Sequence, residues 1–588
     1  MTWFLMNPQR LIHEYTQLEV LASQADWIAA THWRLNESLL QIDLDLTVHD
    51  GTYEATLTYP DVFPNTPAYI RPRDSSQRWS GHQYGAGGSL CLEWRPDNWH
   101  PGVTGADLVR SAYKLLGTEQ DPVIPRAVQS AHQTTPGQDL IAEVNRLVAT
   151  PLLLEFLAAH PPEVAVPIKT ESILHHSACI GIVTQVGAAS GEMTRIVDVP
   201  KSVGSGLSLW SWTRDGVAVR SEAFEDIGSL ASINELRERL TELGLSEQLL
   251  LLGANEPAAL EKKILLLWGT KRLRAFAAND DQLTEYRVIY PSGNENRIPA
   301  SYTGLADIRV AIVGLGSMGS KIAVSLARSG VRKFLLIDDD VFLPENVCRN
   351  ELSWRAVGVH KAEAVREELD LIAPEIEVRV EVRRLVGQES SRNTAAALKS
   401  LADCELIIDA TANPEVFLQL AAIARANGCA MCWGEVFAGG IGGLIAASSP
   451  HRDPHPLAVR SGILAYLETL PPAPYMNATG YDVQDQTPII ADDADVTHIA
   501  SALTRLAIGT ALDQPSAFDC QAYLIGLRPK WIFSGPFHTQ PIRVTGEGWE
   551  TASATPADQE AAAEILARII REKVDDQTNP ATSDLPNS

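Results

Sequence analysis

Apolar residues recur at helical spacing near the start of the chain, at Leu11, Tyr15, Leu18, Leu21 and Ala22, and predict an amphipathic helix within residues 10–30. The period then drops to two. Leu40, Ile42, Leu44, Leu46 and Val48 alternate with polar residues, and Tyr53, Ala55, Leu57 and Tyr59 resume the alternation after Asp50-Gly51, a pair that tolerates positive φ. This is a hairpin with one buried face. Pro60, Pro64 and Pro67 end the ladder, because proline has no N–H to donate. A loop with Gly81, Gly85, Gly87 and Gly88 leads to Ser89-Leu90-Cys91, and a helix is expected over 105–117. Residues 150–300 mix short apolar runs with helical stretches such as 232–243 and carry no motif that specifies chemistry. From Arg309 the pattern becomes an apolar strand, a glycine turn, a helix ending near Gly330 and a strand at 333–337, which is a βαβ unit. A helix at 361–372 and strands at 405–409 and 430–437 continue the alternation, so a mostly parallel, doubly wound sheet is expected. The tail has too few apolar residues to pack and is expected to be disordered.

At 588 residues and 45% hydrophobic, the chain is long enough for several domains with their own cores. A net charge of -25 argues against a grip on nucleic acid or an anionic membrane, both of which need clustered Lys and Arg. No apolar run is long enough to span a membrane and no export signal opens the sequence, so a cytoplasmic location is expected. The seven cysteines suit a reducing compartment, with thiols available for chemistry.

Gly314, Gly316 and Gly319 follow a strand and open a helix, where backbone N–H groups and the helix N-terminus can hold a phosphate. Asp338 ends the next strand, in reach of ribose hydroxyls. A dinucleotide-dependent dehydrogenase would share these features. Downstream, Asn346, Arg349 and Lys361 add donors and two positive charges suited to a triphosphate. The run GLGSMGSKIAVSLARSGVRKFLLIDDDVFLPENVCRNELSWRAVGVHKAEAVREEL resembles the ATP-binding core of ThiF-type and ubiquitin-activating adenylyltransferases, over roughly residues 300–535. The resemblance implies that the three glycines cradle ATP, that Asp338 holds its ribose, and that Asn346, Arg349 and Lys361 contact phosphates during adenylation of a C-terminal carboxylate. Such chemistry uses Mg2+. Where that family has Thr-Asp-Asn this chain reads Thr411-Ala412-Asn413, which leaves Asp409 as either the metal ligand or merely the end of a strand. Cys429 and Cys432 lie on an expected buried strand and read as core residues rather than half of a zinc site.

Tyr59-Pro60, Phe63-Pro64, Gly88-Ser-Leu-Cys91 and Asp97-Asn-Trp99-His-Pro101 resemble ubiquitin-conjugating enzymes in order and spacing, with Cys91 as the thioester-forming nucleophile. That family's His-Pro-Asn is absent; Gln83 stands eight residues before Cys91, after His82, and either could donate to an oxyanion or pack the loop. Activating enzymes also capture the adenylate on a cysteine of their own. Cys520, in a polar stretch, is the choice here, although the adjacent Asp519 disfavours a thiolate and a structural role stands beside the catalytic one.

The expected architecture is α/β and multidomain: a ubiquitin-conjugating-enzyme-like α+β domain (1–148), a linker or adaptor domain (149–298), a Rossmann-like ThiF-type adenylation domain (299–573) and a tail (574–588). This arrangement resembles the fused enzymes of bacterial CBASS anti-phage operons. That resemblance implies as partners the C-terminus of a cGAS/DncV-like nucleotidyltransferase, or of a ubiquitin-like protein, together with an acceptor protein and a second copy in a homodimer. A sulfur-carrier adenylyltransferase and a non-catalytic nucleotide-binding scaffold are the alternatives.

Overall fold

The computed structural model describes residues 2–120, 140, 143–187 (except 176), 192–195, 211–242 (except 228 and 229), 263–279, 282–290, 298–386 (except 374), 391–472 (except 438), 491–513, 518–550 and 556–578. Two compact units divide the chain, Met1–Ala142 and Glu143–Ser588.

In the first unit a short helix α1 (Trp3–Met6) precedes α2 (Pro8–Gln24), which starts where Asn7 accepts from the Arg10 N–H and Pro8 occupies the first turn. The helix ends sooner than its period predicted. Residues Ile28–Asn36 form β1, the edge of an antiparallel meander with β2 (Leu39–Val48), β3 (Gly51–Tyr59) and β4 (Tyr69–Pro72). Val48 pairs with Gly51, so the two-residue turn is His49-Asp50 and the positive φ, 52°, falls on His49; Gly51 belongs to β3. Helix α3 (Gly105–Glu119) opens with a reciprocal Thr104–Asp107 capping box. The fully buried Glu14 joins three elements: its carboxylate accepts from Tyr59 Oη at 2.8 Å and from the Gly105 N–H at 2.7 Å, and pairs with Arg10 at 2.7 Å. A buried charge persists only with partners of this kind.

The second unit begins with a barrel. Its strands are β5 (Asn145–Val148), β6 (Val166–His175), β7 (Ala178–Gly187), β8 (Met193–Arg195), β9 (Ser211–Arg220), β10 (Ile264–Trp268), β11 (Leu273–Asn279) and β12 (Gln282–Ile289). The order β5-β12-β11-β10-β9-β6-β7 returns to β5, closing a ring, and β8 adds to β7. Closure removes the exposed edges of a sheet. Residues from all seven ring strands, among them Leu147, Ile168, Val183, Ala218, Leu266, Ala275 and Tyr286, meet in one cluster with Leu153 and Leu157 of α4 (Pro151–Ala159). The alternate positions Leu265, Leu267 and Phe276 face Leu236 and Leu240 of α5 (Ile233–Glu242). The segment expected as a linker or adaptor domain thus has a core of its own, and residues 145–148, expected in the first domain, belong to it through β5.

The remaining sheet runs β15 (Glu377–Glu381), β14 (Lys333–Ile337), β13 (Arg309–Val313), β16 (Leu406–Asp409), β17 (Ala430–Phe437), β18 (Gly442–Ser448), β19 (Ala522–Gly526) and β20 (Thr539–Ile542). The first five are parallel and the last three antiparallel, a mixed continuation of the expected doubly wound sheet. Helices α6 (Ser317–Ser329), α7 (Lys361–Asp370) and α11 (Asp493–Ala511) bury their apolar stripes on one face. Helices α8 (Ser391–Ala402), α9 (Pro414–Asn427) and α10 (Pro456–Glu468) cover the other. Helix α12 (Pro556–Thr578) continues past 573, into the segment expected to be disordered; residues 579–588 lie outside the described residues. No helix among the described residues is long and apolar enough to cross a membrane.

Candidate active site

Strand β13 leads into α6 through Gly314, Leu315 and Gly316. Gly314 has φ +83° and donates its N–H to Ile337 O at 2.9 Å; a Cβ on Gly319 would lie 1.9 Å from Gly314 O. Both glycines are needed for the close packing of strand, turn and helix. Gly316, the N-cap of α6, differs: a Cβ there meets nothing within 4 Å. The space above the helix N-terminus is open to a ligand, and N–H groups and the helix dipole favour an anion there.

Asp338 follows β14, and its carboxylate accepts from the Leu315 N–H at 2.6 Å and the Asp340 N–H at 2.8 Å. Burial raises its pKa against the lowering effect of these bonds. In this position Asp338 braces the glycine turn. Asn346 accepts from the Leu343 N–H at 2.9 Å, and Arg349 is half-buried three residues later. This segment is pinned to the glycine turn by groups that the sequence reading missed. Asn350 Nδ2 donates to Leu315 O at 3.2 Å, while Ser320 Oγ donates to Gly316 O at 2.8 Å and accepts from the Glu351 N–H at 3.3 Å. The nearly buried Lys321 pairs with Asp493 at 2.8 Å and Glu351 at 3.9 Å. Lys361 was expected on phosphate; here its ammonium pairs with Asp340 at 2.7 Å, so a phosphate must compete for it.

On the other side of the glycine turn, Thr411 packs on Gly314 and Asp409 ends β16. Asp409 is buried; its Oδ1 accepts from the Thr411 N–H at 2.9 Å and from Thr411 Oγ1 at 2.6 Å, and burial raises its pKa. It lines a cavity of about 100 Å³ with Ala412, Phe417, Trp433, Glu435 and Arg460. Ala412 has φ 53°, a strained backbone for a residue with a Cβ, and offers no ligand atom. Glu435 is open to solvent but crowded by protein, which raises its carboxyl pKa. Asp409 and Glu435 thus bring carboxylate oxygens, the donor type of hard divalent cations, to one cavity. Cys429 and Cys432 are buried, their thiols pushed up to about 11 and about 12 by burial, as core cysteines should be.

In the first unit the Gly81–Gly88 loop folds back so that the Cys91 N–H donates to His82 O at 2.6 Å and Gln83 pairs with Leu90. Cys91 is half-exposed. Gln83 points inward: its side-chain oxygen accepts from the Trp79 N–H at 2.7 Å and its amide donates to Gln77 O at 3.2 Å. His82 lies 3.8 Å from Glu119. Gln83 packs the loop through its oxygen and one of its two amide N–H groups. Cys520, expected in a polar and accessible stretch, is only 9% exposed and packs in the core beside Phe518 and Tyr523. Its thiol is pushed up chiefly by burial, with Arg543 opposing. Asp519, the acidic neighbour in sequence, stays against the thiol and adds to the rise through a side-chain hydrogen bond, while Tyr523 Oη takes the Cys520 N–H and donates to Asp519.

In sequence the chain is similar to the uncharacterized protein y4qC of Sinorhizobium fredii (strain NBRC 101917 / NGR234), 34% identical over 144 residues, 23% of this chain and 24% of that protein. It is similar to the ATP-dependent ubiquitin transferase-like protein Cap2 of Enterobacter hormaechei subsp. hoffmannii (strain UCI 50), 36% identical over 114 residues, 19% of this chain and 18% of that protein. The molybdopterin-synthase adenylyltransferase of Escherichia coli (strain K12) is 37% identical over 117 residues, 20% of this chain and 44% of that protein. The chain thus matches a quarter or less of the length of the first two relatives and under half of the third. Among solved structures, E. coli MccB with ATP aligns at a TM-score of 0.33 and 16% identity, covering 42% of this chain and 67% of that one. Residues 295–454, the stretch that carries the glycine turn, Asp338, Arg349, Lys361 and Asp409, match the ThiF family.

Proposed function

We propose that this chain uses ATP to adenylate the C-terminal carboxylate of a protein and passes the acyl group through cysteine thioesters to an acceptor. The observation that carries the reading is the glycine turn: open space over Gly316, with the Arg349-bearing segment pinned to the same turn through Asn350 and Ser320. The carboxylate attacks the α-phosphorus of ATP and pyrophosphate leaves. Arg349 and Lys361 stabilise the charge that develops on the phosphate oxygens. Mg2+ held by Asp409 and Glu435 would neutralise polyphosphate charge. The Cys520 thiolate then attacks the acyl carbon and AMP leaves. The Cys91 thiolate displaces Cys520, and an acceptor amine displaces Cys91, losing its proton to solvent as the amide forms. The meander of β1–β4, the tight glycine loop and the half-exposed Cys91 support the conjugating half of this reading. Tethering both halves on one chain makes the second transfer intramolecular.

The substrate of this reading is the C-terminus of a cGAS/DncV-like nucleotidyltransferase, or alternatively a ubiquitin-like protein, handled in the cytoplasm by a homodimer. The sequence likeness to an ATP-dependent ubiquitin transferase-like protein supports activation and transfer of a protein and does not choose between the two. The test mixes purified chain, ATP, Mg2+ and the nucleotidyltransferase and reads thiol-sensitive adducts on non-reducing gels, with Cys91→Ala and Cys520→Ala variants. Loss of every adduct with Cys520→Ala, and retention of the first thioester without conjugate with Cys91→Ala, support the relay. ATP–pyrophosphate exchange without any thioester would instead leave a sulfur-carrier adenylyltransferase, a reading favoured by the likeness to molybdopterin-synthase adenylyltransferase.

A further inference from the structure

In the steps above the acceptor amine sheds its proton to solvent, and no residue of the first unit has a part in that transfer. The turn in front of Cys91 supplies one. Gln83 and Leu90 form an antiparallel bridge, with the Cys91 N–H donating to His82 O at 2.6 Å and the Tyr84 N–H to Ser89 O at 3.1 Å. This register sets His82 directly opposite Cys91, and residues paired in this way have Cα atoms about 5.5 Å apart and side chains on one face. The two faces of the turn differ in burial. Gln83 and Leu90 point inward, 6% and 5% exposed, whereas His82 and Cys91 are half-buried on the outer side, where a second protein can reach them.

A carboxylate stands behind the imidazole. Glu119, at the end of α3, accepts from the Gly81 N–H at 3.1 Å through one oxygen and places the other 3.8 Å from His82 Nε2. Its side chain is only 12% exposed, so little water screens the pair. The same helix end holds the turn a second time, since Gln120 Nε2 donates to Trp79 O at 2.7 Å, and Ser80 Oγ accepts from the His82 N–H at 2.8 Å. The other arm of the turn is fastened to β4 by the Leu90 N–H, which donates to Ile70 O at 2.9 Å. Thiol, imidazole and carboxylate thus follow one another as Cys91, His82 and Glu119 on a turn anchored on both arms. A nucleophile, a ring that can take a proton and a carboxylate that orients the ring are the parts of a proton-transfer device.

We propose that the His82 ring takes the proton of the acceptor amine at the Cys91 thioester, with Glu119 as its positioning residue. The amine nitrogen attacks the thioester carbon, its N–H proton passes to the ring, the C–S bond breaks and Cys91 leaves as the thiolate; the ring then releases the proton to solvent. The positive charge held meanwhile on the ring sits beside the Glu119 carboxylate. This role rests on Cys91 as the nucleophile of the proposed function and needs nothing from the adenylating half.

The experiment loads the full chain by exchange with the 2-mercaptoethanesulfonate thioester of N-acetyl-glycylglycine, which needs no ATP, and follows acyl-Cys91 by mass with Cys91→Ala as the blank. Discharge onto N-acetyl-lysinamide is then timed. His82→Ala should load like the parent yet discharge about tenfold more slowly or worse, and added imidazole should speed the variant about threefold or more while leaving the parent unchanged. Glu119→Gln, which keeps an oxygen for the Gly81 N–H and drops the charge, should load normally and discharge about threefold more slowly. His82→Gln, slow in discharge as well, covers the case in which the alanine variant fails to fold. Discharge at the parent's rate in the His82 variants, a loss that imidazole does not restore, or a matching fall in loading and discharge overturns the role. A Cys91 that takes no acyl group overturns it together with the proposed relay. ATP-driven loading is measured in parallel. Discharge that depends on His82 without ATP-driven loading removes the adenylating half of the proposed function and leaves the His82 role; ATP-driven loading with discharge indifferent to His82 does the reverse.

Discussion

Two glycine-rich turns in this protein use glycine for different ends. In the loop before Cys91, a Cβ on Gly88 would lie 1.8 Å from Tyr84 O, so that glycine serves the fold of the turn. In the turn after β13, Gly319 is equally constrained, at 1.9 Å from Gly314 O, but Gly316 borders open space. A glycine that any side chain would drive into backbone marks architecture. One with neither clash nor positive φ marks room for something else. By this comparison the first loop spends its glycine on its own fold, and the second leaves room beside a helix N-terminus.

The largest effect expected is that of Cys91→Ala, which should leave the first thioester intact and reduce conjugate below detection on the same gels. Persisting conjugate would strip the first loop of its role. The glycines break the comparison more directly. Gly316→Ala should melt with the parent protein yet lose nucleotide affinity tenfold or more by equilibrium dialysis, whereas Gly88→Ala should destabilise its unit by about 1–3 kcal/mol and leave nucleotide affinity alone. A Gly316 variant that melts early would make that residue architectural too.

A smaller effect concerns pH. Burial raises the Cys520 thiol, and the thiolate is the nucleophile, so less of it is present at neutral pH than for a free thiol. Single-turnover formation of the first thioester should therefore climb about tenfold per pH unit from 7 to 9, without levelling. A plateau below pH 8 would point to a different thiol. Asp340→Asn should free Lys361 for phosphate and tighten ATP binding by about threefold in dialysis, a modest change because Asp340 is 67% exposed. Smallest of all, Thr104→Ala removes the cap of α3 and should cost about 1 kcal/mol in thermal unfolding, with no effect on nucleotide.

Much of the local structure was legible beforehand. Alternation at Leu40–Val48 and Tyr53–Tyr59 placed the hairpin, and the βαβ unit around Gly314 fell where its period changed. Strand β1 was not legible, because Ile28–Asn36 is an edge strand whose mostly exposed, irregular burial leaves no clean period. The barrel escaped for another reason. Its closure depends on β5 meeting both β12 and β7, pairings far apart in sequence that no window of neighbours records. The turn was misplaced by one position because Asp50-Gly51 is the stronger turn signal, while the register of Val48 with Gly51 selects His49-Asp50.

What the sequence by itself determined is the chemistry available and its local spacing: three glycines at a strand–helix turn, Arg349 and Lys361 after them, and Cys91 behind a glycine loop. These follow from contacts between near neighbours, which the order of residues sets. What only the tertiary structure decided is the environment of each group. Asp340 occupies Lys361, Tyr523 and Phe518 bury Cys520, Asn350 fastens Arg349's segment to the glycine turn, and Arg460 stacks on Phe417 in one cavity with Asp409 and Glu435. Exposure, ion pairing and proton affinity depend on groups brought together from distant parts of the chain, and packing alone selects those groups.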